Sequence, residues 1–232
     1  MKYLRTIGFS LLILGVVAIV ATTSLRAETQ TSSLIHVNVD QKPQNNRGGS
    51  QTMTTEQQSA LNHVLTLIEI PENYSLSQIR EGIQNKERVF VFRYTKQENN
   101  QLGGEHFSFT VTEENQLLGV TWMDQKFQKG SNLPSKEKTT EIVRSYLSKV
   151  EPDLFKKLEN LWIEPHDEII QINNKNVTVT GIKYKCFIPS EDSYAWVIVG
   201  PNEQVITFER GIQWAGMRLS EKWLHDAWLI EK

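Results

Sequence analysis

Tyr194-Ala195-Trp196-Val197-Ile198-Val199-Gly200-Pro201-Asn202-Glu203-Gln204-Val205-Ile206-Thr207-Phe208 reads as two strands around a tight turn. Both apolar runs are too short for helices and are rich in β-branched and aromatic residues. Gly200-Pro201-Asn202-Glu203 between them supplies the turn, because proline sets φ while glycine and asparagine accept conformations other residues resist. Just upstream, Ile182-Lys183-Tyr184-Lys185-Cys186-Phe187-Ile188 alternates and predicts another strand. The segment is therefore an antiparallel meander.

Further upstream a helix precedes it. Pro134-Ser135-Lys136-Glu137 opens an amphipathic pattern in which Ile142, Val143, Tyr146, Leu147 and Val150 form one apolar face. The same order occurs earlier in the chain. Thr54-Thr55-Glu56 caps a helix carrying Ala60, Leu61, Val64, Leu65 and Ile68, and Pro71 stops it. These five apolar positions lie 82 places before their counterparts. Val89-Phe90-Val91-Phe92-Arg93-Tyr94, Phe107-Ser108-Phe109-Thr110-Val111 and 117–122 are strand-like, with turns through Gly103-Gly104 and Glu113-Glu114-Asn115. Here the offset is 88: Val177 and Val179 answer Val89 and Val91, and Val199 answers Val111. The extra six residues fall in a connection containing Leu154, Phe155, Leu158 and Trp162. Ile79 and Ile83, four apart, predict a second short helix over 77–84. The fold expected is α+β: two tandem units of helix followed by antiparallel β-meander, 54–130 and 131–210, with a C-terminal helix in 211–232.

Helix followed by a meander that ends in an aromatic-rich strand, a Gly/Asn turn and a valine-isoleucine strand resembles the PepSY domain, named for peptidase propeptides and a sporulation protein. The resemblance covers 54–210 as two degenerate copies, although the first has Glu113-Glu114-Asn115 where a glycine turn is usual. It implies an exported or membrane-tethered, non-enzymatic protein, and some members restrain secreted proteases. It carries over no catalytic residue.

The N-terminus sets the expected compartment. Lys2 and Arg5 precede an apolar run over 7–21, and Ser24-Leu25-Arg26-Ala27 offers a cleavage site after Ala27. The run also approaches the ~20 residues that span a bilayer, so cleavage and retention as a single-pass anchor are both open. Residues 28–53 are rich in Gln, Asn, Ser, Thr and Gly and read as a flexible tether, with Ile35-His36-Val37-Asn38-Val39 a short edge strand within it. Membrane contact is expected only through residues 3–21.

The whole chain has 232 residues, Lys+Arg 25 and Asp+Glu 27, a formal charge of -2. Such a balance, with scattered basic residues, excludes a dedicated nucleic-acid binder. The single cysteine excludes a disulfide framework and a multi-cysteine zinc site. Cys186 falls on the Ile182/Tyr184/Ile188 side of its strand, which predicts a buried thiol.

No two of His36, His63, His106, His166 and His225 stand at a metal-ligand spacing, and Gly103-Gly104-Glu105-His106 lacks the spacing and Lys-Ser/Thr of a phosphate loop. No nucleophile elbow is present. No catalytic residue, metal or cofactor is expected. His166-Asp167-Glu168 reads as a solvated acidic loop, although with His106 and Glu105 it motivates an alternative function as an extracytoplasmic small-ligand or metal-binding protein. Lys183 and Lys185 read as a solvated strand face. Three of the six tryptophans fall between 214 and 228. Ser220 is positioned to cap a helix whose Trp223, Leu224, Ala227 and Trp228 share a face. That helix either docks on a sheet or presents Trp214, Arg218, Trp223 and Trp228 to a partner. The partner expected is an envelope or secreted protein, a protease among the candidates.

Overall fold

The computed structural model describes residues 53–96, 101–130 and 132–232. The signal or anchor over 1–27, most of the tether and its short strand lie outside the described residues. Among the described residues no helix is long and apolar enough to cross a membrane.

Helix α1 (Thr55–Leu67) begins where the sequence places its cap. Gln57 donates its backbone N–H to Thr54 Oγ1, and the Gln57 side chain accepts from the Thr54 N–H, so two otherwise unpaired donors are satisfied. Four strands follow: β1 (Ser75–Gln84), β2 (Glu87–Thr95), β3 (His106–Thr112) and β4 (Leu117–Met123). The second unit repeats the order with α2 (Lys136–Val150), the short α3 (Leu154–Lys157), β5 (Glu159–Ile172), β6 (Lys175–Ile188), β7 (Ser193–Val199) and β8 (Val205–Ile212). Helix α4 (Asp226–Ile230) ends the chain's regular structure. The fold is α+β.

The two meanders share one antiparallel sheet of eight strands, ordered β1-β2-β3-β4-β8-β7-β6-β5. They meet through the last strand of each unit, with Gly119, Val120 and Thr121 opposite Glu209, Phe208 and Thr207. That joint relates the units by a rotation perpendicular to the sheet, so both long helices stay on one side. There α1 contributes Ala60, Leu61 and Val64, and α2 contributes Val143, Leu147 and Val150, to a core with Phe90, Phe92, Phe109, Val197 and Phe208. The Phe92 and Phe109 rings stack at 4.9 Å. Cys186 is buried in this core, donates to Ala195 O, and has its pKa pushed up to about 12 by burial.

Two expectations are corrected. Residues 77–84 form strand β1, not a helix, because Asn85-Lys86 takes left-handed φ values of 52° and 74° and folds the segment back onto β2. Ile79 and Ile83, four apart, share a face in either conformation. The His166-Asp167-Glu168 segment is not a loop but the middle of β5, paired to β6 through a second such turn at Asn173-Asn174, with φ values of 50° and 61°. Pro165 is compatible with that strand because β5 is the sheet's edge. The two turns stand 88 residues apart, the offset of the sequence repeat.

Candidate functional site

Strand alternation sends Arg93, His106, Thr121, Lys183, Trp196 and Glu209 to the side of the sheet away from α1 and α2. This side is concave. The far end of the β5–β6 hairpin curls back, with the Gln171 N–H donating to Gly103 O at 2.7 Å and Lys129 N–H to Thr178 O at 2.8 Å. Residues 213–232 cross the concavity as a strap. Two glycines let it approach: a Cβ on Gly82 would stand 2.3 Å from the Trp223 ring, and one on Gly119 2.7 Å from Leu224. Between strap and sheet lies a cavity of about 620 Å³, a size typical of ligand pockets.

Adjacent strap residues, His225 and Asp226, fasten it to different strands. Asp226 accepts from both terminal nitrogens of Arg93 at 2.6 and 2.8 Å and from the Gly103 N–H at 2.6 Å. Burial works against this carboxylate's charge, but His106 and Arg93 overcome it and lower its pKa. Glu209 on β8 accepts from His225 at 2.9 Å, from Arg218 at 2.7 Å and from the Trp196 indole at 3.1 Å. Burial again opposes ionisation, yet His225 and Arg218 hold Glu209 far below the usual carboxylate range. His225 is raised in turn, the Glu209 carboxylate outweighing the burial of the ring.

Two groups at this site are not so matched. His106 is 2% exposed, and its Nδ1 lies 3.0 Å from Gly104 O, an acceptor only, so Nδ1 carries the hydrogen. Nε2 is then a buried acceptor, and it has no hydrogen-bond partner among the described residues. Burial and the nearby Arg93 push the His106 pKa down to about 4, so the ring is neutral. Lys183 forms no ion pair among the described residues, and its ammonium rests 3.9 Å from the centre of the Trp196 ring. Burial lowers its pKa to about 8, so Lys183 does not belong to a solvated face.

The residues singled out in the sequence are dispersed. Arg218 is turned inward onto Glu209 and the Ser220 and Glu221 carbonyls. Trp223 lies against β1, donating its indole N–H to Ile83 O at 3.1 Å, and Trp228 meets it edge to face at 5.1 Å. Trp214 alone of the four stays mainly exposed, at 48%. Ser220 is buried, its hydroxyl has no partner among the described residues, and it caps no helix, since α4 starts only at Asp226. The candidate metal set does not assemble, for Glu105 takes Lys96 and the Gln125 N–H while His166 pairs with Glu168 at 2.8 Å. Among the described residues no cluster of three or more His, Cys, Asp and Glu could hold a metal ion. The residues that sequence reading missed are Arg93, Glu209, Asp226 and His225. Arg93 and Glu209 carried a signal, a charged residue inside an apolar strand beside Tyr94 and beside Phe208, whereas His225 and Asp226 on the strap carried none.

No curated protein and no solved structure matches the chain. A family model described as the YcdB, YcdC repeated domain matches residues 57–209, spanning both meanders. The chain belongs to the YcdB, YcdC repeated domain family.

Proposed function

We propose that the chain is a non-enzymatic binding module of the cell envelope, exported and either anchored through its N-terminal segment or released. It captures an envelope or secreted protein, a protease among the candidates. The observation that carries this reading is the mouth of the cavity: Ile169, Trp214, Met217 and Ile230 line it while remaining 65%, 48%, 66% and 62% exposed. A cluster of exposed apolar side chains around a concavity is a typical contact surface for another molecule. Inside, Glu209 and Asp226 each hold three donors, which leaves neither poised to exchange a proton. The PepSY-like character of the two units supports a restraining role, achieved by occlusion.

The test is crosslinking of the full-length chain on intact host cells, beside a Trp214→Ser/Met217→Ser variant. Both substitutions sit at exposed positions and should leave the unfolding midpoint unchanged. Recovery of one secreted or wall-associated protein by the wild type, lost in the variant, is the expected result. Equal recovery by both, or none by either, overturns the reading.

A further inference from the structure

Not every charged side chain lining the cavity has an ion-pair partner among the described residues. Glu209 is paired with Arg218 and His225 and Asp226 with Arg93, while Glu168 accepts a hydrogen bond from the His166 ring. Lys183 is left as a half-buried cation with no ion pair among the described residues: its ammonium rests on the Trp196 ring, and the Glu209 and Glu168 carboxylates act on it only at longer range. An unmatched ammonium in partly desolvated surroundings attracts an anion more strongly than the same group in water. The second mismatch has the opposite character. His106 Nε2 is a buried lone pair with nothing to accept from among the described residues, and leaving such a group unmet has a cost that a ligand donor would remove. Between these points Trp196, Ile198 and Met123 give the walls apolar surface beside Thr121 and Thr207, and the mouth is apolar.

An occupant that answers all three features carries an anionic group, at least one N–H or O–H donor set apart from it, and apolar bulk. A fatty acid supplies the anion and the bulk but no donor. A peptide end supplies all three, since its terminal carboxylate is the anion, its amides are donors, and apolar side chains fill the walls. We infer that the cavity receives the free C-terminal carboxylate of an apolar peptide segment, with Lys183 pairing the carboxylate and His106 Nε2 accepting a peptide N–H. This rests on the binding role proposed above and adds the chemistry of the occupant. The partner would then be one that presents an exposed apolar C-terminus, such as a processed chain.

The experiment titrates the full-length chain, as isolated from its host, with acetyl-Ala-Ala-Leu-Leu bearing a free C-terminus. The same peptide as its C-terminal amide, and decanoate, are run in parallel, with tryptophan fluorescence and calorimetry as readouts. The free acid should bind at least about tenfold more tightly than the amide, the scale of one buried charge-assisted contact. Decanoate should bind more weakly than the free acid. Lys183→Gln should bind acid and amide alike while keeping the unfolding midpoint close to wild type, because it breaks no ion pair and the lost contact with the Trp196 ring is offset by no longer burying a charge. Equal binding of acid and amide by the wild type, no binding of either, or tighter binding of decanoate overturns the inference. Cell-surface capture reads Trp214 and Met217 and needs no free terminus. A chain that captures its partner yet ignores the peptide acid therefore sinks this inference alone.

Discussion

One sheet presents two contrasting faces. The side under α1 and α2 is held by area: Phe90, Phe92, Phe109 and Phe208 are fully buried against helices that arrive early in each unit. The side under the strap is held by charge, through Arg93 with Asp226 and through Glu209 with Arg218 and His225. Apolar burial is non-directional and tolerant of small shifts, whereas buried ion pairs stabilise only while every partner stays in place. The helix face is therefore the permanent part of the molecule, and the strap face is the part that can be loosened without unfolding the rest.

The largest expected effect falls on the helix face. Phe109→Ala should lower stability by about 4 kcal/mol, the scale for emptying a fully buried aromatic site, and should shift the urea midpoint of the whole sheet. A small loss confined to one unit would show that the two meanders do not share a cooperative core. Next comes Asp226→Ala, which strands the Arg93 guanidinium without its partner at a cost of about 3 kcal/mol. The damage should appear as lost hydrogen-exchange protection in residues 213–232 and β2, with α1 and α2 protected as before. Loss of protection in the helices would erase the contrast between the faces.

Gly82→Ala is a gentler break of the same contact. The added methyl occupies space now held by the Trp223 ring, and moving the ring should cost about 1–2 kcal/mol. Trp223 fluorescence should shift to the red as the ring is displaced toward water, and an unchanged spectrum would mean that the strap does not rest on β1. The smallest effect is on pH dependence. His225 holds its proton more tightly in the folded chain, so its contribution is complete below the ordinary histidine value of about 6.5 and is lost as pH rises through the raised folded value. His106 acts in reverse: with its folded pKa at about 4, stability falls as pH drops from about 6.5 toward 4. Glu209 and Asp226, both lowered, withdraw their contributions at still lower pH. The urea midpoint should peak near neutrality and decline on both sides. His225→Gln should flatten the alkaline limb alone, and a monotonic wild-type curve would contradict the assignment.

The helix face was readable in advance because its determinants are local. Thr54 with Gln57, Ser135 with Lys138, and the Gly200-Pro201-Asn202 turn each act within a few residues. β1 was misread because a spacing of four satisfies a period of 2 as well as one of 3.6. β5 went unseen because an edge strand needs little apolar sequence, and most of its side chains are exposed. The charged face was the least legible. Arg93 and Asp226 are 133 residues apart, and Lys183 in an alternating strand looks the same whether water or a strap lies above it. The repeat offsets pointed to two similar meanders but had no way to say that the concave side is covered.

The joint between the meanders has a kinetic consequence. Every other strand pair links neighbours in sequence, but β4 must find β8 across most of the second unit, and their ladder has only three paired positions, braced by the Thr121–Thr207 hydroxyl contact at 3.1 Å. Closing that loop is the entropically dearest event in the fold and forms the shortest ladder in return. Each meander should assemble rapidly from its own hairpins, with docking of β4 on β8 as the slow step. Under tension the sheet should part first along this seam, into halves that each still hold a helix.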